Sequence, residues 1–446
     1  MDLFVWLGAR TPLSYLSKDE QQRQAGKDAA SNRSKLLWRG TYIKKTMGRH
    51  ILNTSTVPVA AERYHDRKRY AWWLSILVPA IIGSGPLLIT FSGNLYLAWV
   101  PVIFVYLMIP LLDFVLGEDR SNPPEEAVPA LEADRYYRYI TYATLPILWT
   151  TFIGSVWFLA THHLPWYAEL PLILSAGMGG GLGINLGHEL GHKNTPLERW
   201  LAKLVLAPTG YGHFFIEHNR GHHRDVATPS DPASSRMGES IYAFVLREMP
   251  GALMRAWKIE VDRLQRCEQA VWSLHNEILQ PALITLVLWT TLLIWLGIAA
   301  LPLLLVISFW ANFQLTSANY VEHYGLLRLE RAPGRYEVCQ PHHSWNSNHV
   351  FSNWALFHLQ RHSDHHAHPT RRYQSLRHFK NLPELPNGYL GMFLLAYIPP
   401  LWFRVMDHRV VACVGGNPSM INFQPGKRAG LMRRYRLAAA TLETAQ

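Results

Sequence analysis

Six apolar runs constrain this 446-residue chain more than any other feature. They extend from Tyr70 to Phe91, Leu95 to Leu116, about Tyr139 to Ala160, Trp166 to Leu186, about Pro281 to Gly297 and Ile298 to Tyr320. Each is about 20 residues long, which at ~1.5 Å rise per residue carries a helix across the hydrocarbon of a bilayer. Short connections at Ser92 to Asn94, at 161 to 165 and around 297 join them in pairs. The expected fold is therefore all-α: a polytopic membrane protein with six transmembrane helices and a histidine-rich helical domain on one side. Mean hydropathy near zero conceals this, because the runs average against long polar segments.

Charge sets the orientation. The three short connections carry no Lys or Arg, the first 69 residues carry 14, and the other loops are rich in both. By the positive-inside rule both termini and the polar loops face the cytoplasm. A net charge of +11 spread along the flanks of membrane spans excludes a groove-sized nucleic-acid site and suits anionic lipid or an acidic protein partner. No apolar stretch with a cleavage site marks a secretory signal near the N-terminus. The expected division is a basic cytoplasmic tail over 1–69, a membrane domain over 70–411 with cytoplasmic catalytic segments at 187–280 and 321–411, and a cytoplasmic tail over 412–446. The segment Met392 to Phe403 is too short to span and is broken by Pro399 and Pro400, so it is expected to lie on the interface or to close the cytoplasmic domain.

Histidines crowd the polar segments. His188 and His192 stand four residues apart in NLGHELGHK, where a helix continuing the fourth span presents both on one face. His218, His222 and His223 follow in FFIEHNRGHHRD, and His362, His365 and His366 in LQRHSDHHAHP, each set readable as one helical face. His323 ends the sixth run in NYVEHYG. HELGH alone also matches the H-E-x-x-H pattern of zinc proteases, which predicts one zinc with three protein ligands. Nine imidazoles exceed that need and can enclose two ions. Imidazole suits zinc, copper, iron and nickel alike. A paired site at the mouth of a bundle, with no polar run through the spans, fits redox chemistry on a substrate dissolved in lipid, for which iron and dioxygen are the usual means. Ligands gathered at one membrane face disfavour a metal transporter.

The segments HELGHK, EHNRGHHRDVATPSDPASSR, NYVEHYGL and SNHVFSNWALFHLQRHSDHHAHPTRRYQSL resemble the signature segments of the membrane alkane 1-monooxygenases (alkane ω-hydroxylases), within the membrane di-iron desaturases and hydroxylases. The resemblance covers roughly Tyr70 to Val411. It implies two non-haem Fe ions held by the nine histidines named above. It further implies that O2 and electrons, delivered by rubredoxin from a flavin-dependent rubredoxin reductase, convert the terminal methyl of a linear alkane to a 1-alkanol at a bacterial-type inner membrane. Cys267, Cys339 and Cys413 form no rubredoxin-like pair, so that carrier is expected in trans or on another segment. The basic cytoplasmic face would attract such a small acidic protein. The nearest rival within the same architecture is a fatty acyl desaturase or lipid hydroxylase.

Two ferrous ions bound by neutral ligands leave about four positive charges uncompensated, so nearby carboxylates are expected to orient the imidazoles. The candidates are Glu189, Glu217, Glu322, Asp364, Asp225 and Asp231. Asn319, Asn346, Asn348 and Asn353 could add hydrogen bonds. His213, His342, His343, His349, His358 and His368 lie near the ligands in sequence, whereas His162 and His163 fall on the opposite side of the membrane. An apolar slot through the bundle should hold the substrate. The fourth span, rich in glycine, offers Gly180 and Gly183 to that slot, although close helix packing explains such glycines equally well. By analogy with the family, Val105, five residues before Pro110, limits chain length, and a small residue there predicts medium to long chains.

Overall fold

The computed structural model describes residues 64–437. Most of the expected N-terminal tail and the last nine residues of the chain therefore lie outside it.

The first apolar run forms α1 (Leu74–Ile82) and α2 (Gly85–Ser92), which bend by 55° at Gly83–Ser84. Pro86 explains the break, since it offers no N–H to the preceding turn. Five helices are long and apolar enough to cross a membrane: α3 (Leu95–Leu116), α4 (Arg135–Thr161), α5 (Trp166–Gly191), α8 (Leu279–Leu296) and α9 (Ile298–His323). Two longer helices outside the spans, α6 (Pro196–Leu206) and α7 (Ile241–Arg266), cross the polar side. The segment with the double proline becomes α10 (Tyr389–Ala396) and α11 (Pro399–Cys413), bent by 119°. The six apolar runs read from the sequence correspond to the five long helices and the first bent pair. This is a mainly helical, multi-pass membrane fold. Among the described residues strand is confined to a hairpin, β1 (Glu330–Ala332) with β2 (Arg335–Tyr336), closed by Gly334 at φ 70° and a few isolated bridges.

Helix α5 is the axis of the bundle, buried from Ser175 to Leu190 over most of its length. Its glycines let neighbours approach. A Cβ on Gly177 would stand 2.5 Å from the Trp310 ring, and one on Gly180 2.7 Å from both Ala311 Cβ and Thr209 Cγ2. A Cβ on Gly187 would meet Leu206 at 2.8 Å. The stripe thus serves the seams of α5 with α9 and with α6. By contrast α8 fully buries only Pro281 and Leu292 and packs Leu288, Trp289 and Leu293 against the bundle at its half-buried face.

The residues after 412 pack onto the domain as far as they are described. Met237 donates its N–H to Asn422 O at 2.7 Å, and Ile421 and Leu431 belong to the main apolar core. Asp407 on α11 accepts from the Tyr324 hydroxyl at 2.7 Å and from Tyr435 at 3.2 Å. The stretch expected as a tail from its polar composition is, up to residue 437, part of the folded body.

Candidate metal centre

Four pieces of chain bring nine histidines together. His188 sits in the last turn of α5 and His192 caps its end, and their ring centroids lie 5.1 Å apart. His323 is the last residue of α9. His362, His365 and His366 lie on the short helix His362–Ala367. His218, His222 and His223 fall on a turn of π-helix, Glu217–His222, that runs into His223–Asp225. In a π turn residue i+5, not i+4, stands nearest residue i. His218 and His223 therefore face one way and His222 another.

The outcome is two groups. Ring nitrogens of His188, His192, His218, His223 and His365 all lie within 4.8 Å of one another, and so do those of His222, His323, His362 and His366. Neither triplet presents a single face to one ion, as its spacing suggested. Each divides its histidines between the groups.

These donors fit metal. His223 Nε2 lies 3.1 Å from both His218 Nε2 and His365 Nε2, while His362 Nε2 lies 3.2 Å from His323 Nε2 and 2.9 Å from His366 Nε2. Neutral imidazoles cannot all satisfy one another in such convergence, since each offers one donor and one acceptor. His188 Nε2, His192 Nε2 and His222 Nε2 are buried without a hydrogen-bond partner. A cation at each centre would satisfy them all. Burial, with help from neighbouring imidazoles, holds His192, His218, His223, His362, His365 and His366 well below the ordinary imidazole range, in the neutral form that metal binding requires. His222 departs from this pattern. Burial lowers it too, but the Asp231 carboxylate, 3.0 Å from Nδ1, outweighs burial and raises it.

The expected carboxylates divide sharply. Asp231 accepts from His222 Nδ1, from Ser234 Oγ at 2.6 Å and from Arg255 at 2.7 Å. Burial pushes Asp231 up, yet His222 and Arg255 together hold it far below the usual carboxylate range. Glu322 Oε2 lies 3.4 Å from His362 Nε2. The other four serve different partners. Glu189 pairs with Lys193 at 3.0 Å, Glu217 with Arg255, and Asp225 with Arg224 at 2.7 Å. Asp364 binds Arg371 at 2.9 Å and His368, on the side of its helix away from the cage.

Arg255 was not legible as a site residue. It joins Glu217, Asp231 and, at 3.6 Å, Asp225, so that one guanidinium ties together three of the six expected carboxylates. The available signal was the buried i, i+4 register Glu248, Ala252, Ala256, Glu260 on α7, which places Arg255 at the edge of an inward face.

Of the histidines near in sequence, none joins either group among the described residues. His358 Nδ1 donates to Tyr373 O at 2.9 Å, His349 Nδ1 meets Ser347 Oγ at 2.8 Å, and His213 packs against Tyr211. His342 and His343 meet Glu337 in a smaller third group, where His343 Nδ1 accepts from the Gln340 N–H at 2.9 Å. That bond leaves the proton on Nε2, which faces Glu337 as a donor and not as a ligand. Asn319 donates to Glu248 at 3.2 Å, Asn346 and Asn353 bond to nearby loop groups, and Asn348 bonds to His378.

Above the cage, toward the spans, lies an apolar cavity walled by Val78, Ile82, Val105, Ile109, Met178 and Phe393 among others. Val105 sits on a second π turn, Phe104–Met108, just ahead of Pro110, whose missing N–H loosens the helix there. Asn185, Leu315, Ala318 and Leu359 are shared with a smaller cavity that touches His188 and His218 of one group and His362 of the other. Gly180 and Gly183, expected to line the slot, are absent from its wall: Gly180 abuts Ala311 and Thr209, and Gly183 abuts Val205. Gly181, next to them, does line it.

A multi-pass membrane protein with two histidine groups, each able to hold a metal ion, beneath an apolar cavity defines a class of membrane-embedded proteins with a candidate metal centre. The fatty acid desaturase family model matches residues 164–396. The chain is 56% identical over 373 residues to alkane 1-monooxygenase 1 of Alcanivorax borkumensis, covering 82% of this chain and 91% of that one. It is 53% identical over 386 residues to alkane 1-monooxygenase of Pseudomonas putida, covering 85% and 95%. A shorter match, 33% over 214 residues, is to the xylene/toluene monooxygenase hydroxylase component of Pseudomonas putida, covering 47% of this chain and 55% of that one. The chain belongs to the alkane 1-monooxygenase family, within the fatty acid desaturases.

Proposed function

We propose that this protein is a non-haem di-iron monooxygenase that hydroxylates the terminal methyl of medium to long linear alkanes. The overall balance is alkane, O2, two electrons and two protons to 1-alkanol and water. The observation that carries this reading is that the apolar cavity adjoins a small cavity touching both histidine groups, the two sharing Asn185, Leu315, Ala318 and Leu359 in their walls. An alkane offers no polar handle, so shape alone must position it. The wall from Val105 to Asn185 supplies such a shape and aims one end of a chain at the cage.

The two groups, of five and four histidines, would each hold one iron, which supplies activation of O2 and attack on an unactivated C–H bond. The residues of this chain do the rest. Asp231 holds the His222 proton on Nδ1, leaving Nε2 free for metal. Leu315, Ala318 and Leu359 keep the approach dry. Val105, on the cavity wall, sets the room available to the chain. The established relatives carrying the name alkane 1-monooxygenase support the substrate class. We assign both termini and the cage to the cytoplasmic side of a bacterial-type inner membrane, from the Lys and Arg distribution. Rubredoxin, supplied in trans, is the proposed electron donor, drawn to the basic face with rates that fall as salt rises.

Nine converging histidines exceed the three ligands of a zinc protease, and the apolar cavity disfavours an acyl substrate with a charged head. The test is metal analysis of purified protein together with turnover of octane to hexadecane in membranes supplied with rubredoxin and its reductase. Iron in both groups with 1-alkanol as product is expected. A single zinc, or product formed only from acyl lipid, overturns the reading.

A further inference from the structure

We propose that the pocket between α6 and the start of α8 binds the headgroup of an anionic phospholipid from the leaflet on the cage side of the membrane. The pocket is walled by Asn194, Pro196, Arg199, Trp200, Lys203, Glu277 and Gln280.

Its charge is unbalanced. Glu277 is bonded by Arg199 at 2.9 Å, by Lys203 at 2.9 Å and by Arg220 at 2.5 Å, while Glu260 is bonded by Arg220 at 3.1 Å and by Arg263 at 2.6 Å. Of these only Arg199, Lys203 and Glu277 wall the pocket, which leaves one positive charge uncompensated there, and the adjoining Arg220, Arg263 and Glu260 add one more. Lys203 is buried, with Nζ also donating to Gln280 at 2.7 Å, so this is a built arrangement and not a pair of free surface lysines. A phosphate diester suits it: a diffuse anion with several acceptor oxygens for a guanidinium and an ammonium.

Location selects lipid over a soluble anion or an acidic protein. Glu277 and Gln280 stand at the entry of α8, whose next turns expose Leu283, Leu286 and Val287 outward, as a span facing acyl chains does. Leu197 and Trp200 are exposed on α6 beside the pocket, and exposed Trp272 and Leu274 lie in the loop before α8, the apolar and aromatic collar of a membrane interface. A lipid could therefore place its phosphate among the cations and its chains along α8. Asn194 lies two residues beyond His192, and α8 is tied to the end of α6 by Thr285 donating to Ala207 O at 2.7 Å and by Trp289 donating to Pro208 O at 3.0 Å. Occupancy would brace the turn that carries a cage histidine.

The experiment uses the full chain, purified in mild detergent, with co-purified lipid quantified by mass spectrometry and with reconstitution into nanodiscs of phosphatidylcholine, with and without phosphatidylglycerol. Phosphatidylglycerol should be retained above its share of the source membrane. Arg199→Gln should weaken that retention about tenfold, through loss of a charge-assisted hydrogen bond. Equal retention of the two lipids by the wild-type chain overturns the proposal, as does undiminished phosphatidylglycerol in the variant. Inorganic phosphate that displaces the lipid at matched concentration would reassign the pocket to a soluble anion and overturn it. So would a variant that keeps its lipid but loses salt-sensitive coupling to an acidic electron carrier. The unfolding midpoint of the wild-type chain in the two kinds of disc tests the same point without a variant: a rise with phosphatidylglycerol is expected, and no rise overturns it.

Discussion

His222 Nδ1 lies 3.0 Å from Asp231 Oδ2, and both groups are almost wholly shielded from water. This contact fixes the tautomer of one cage histidine and delivers a negative charge to the edge of the four-histidine group. Asp231→Asn should therefore weaken metal binding in the four-histidine group about 10- to 100-fold. Chelator competition followed by metal analysis reads the effect. Unchanged affinity would show that His222 is oriented by packing alone.

His365→Ala and His366→Ala separate the two groups although the residues are neighbours. Each substitution should remove metal from its own group, lowering iron content from about two to about one per chain, because an open group loses a ligand it needs. Mössbauer spectra of the two variants should lose different iron environments. Identical spectra would contradict the division.

Val105→Trp fills the cavity wall with an indole. A single methylene of misfit in an apolar site costs about 10-fold or more in kcat/KM, so activity on hexadecane should fall by at least about that factor while octane is spared. Competition assays on mixed alkanes give the profile directly. A profile like that of the wild type would remove Val105 from the slot.

Gly180→Ala should act on stability and not on selectivity. Its new methyl would stand 2.7 Å from Ala311 Cβ and Thr209 Cγ2, and overpacking of that kind costs about 1–3 kcal/mol. A lower denaturation midpoint with an unaltered alkane profile is expected. A changed profile would restore Gly180 to the channel.

Acid stability should depend on Glu277. Burial raises this carboxyl, but Lys203, Arg220 and Arg199 outweigh burial and hold it at about 2, against an ordinary 4.5. A depressed folded value stabilises the fold above the unfolded value and is lost as pH falls, here between about 4.5 and about 2. The contribution at neutral pH is on the order of 3 kcal/mol. Glu277→Gln should flatten the acid limb of an unfolding-midpoint profile between those values, and an unaltered limb would refute the assignment.

The apolar helices and the nine histidines that the fold gathers were legible because both rest on local pattern: unbroken apolar runs, and imidazoles in tight clusters. What pattern could not show was how each cluster divides. His218 and His222 at i, i+4 read as one face of an α-helix, and only the π turn over Glu217–His222 separates them. Charged side chains were misread for a related reason. Glu189 and Asp364 sit beside His188 and His365 in sequence yet point to Lys193 and Arg371, because adjacent residues on a helix are turned roughly 100° from one another. Arg255 lies 24 residues from Asp231, and the register of α7 marks it only as the edge of an inward face, not as the partner of that carboxylate. The glycines of α5 illustrate a limit of composition: absent side chains admit either a ligand or a neighbouring helix, and at Gly180 the neighbour is Ala311.

The π turn at Glu217–His222 has one more effect. Because that turn and the helix His362–Ala367 each supply both centres, the two halves are cross-laced like a knot of two cords. Loosening either piece slackens both loops, so the one iron that His365→Ala or His366→Ala retains should be surrendered to a chelator sooner than either iron of the wild-type chain.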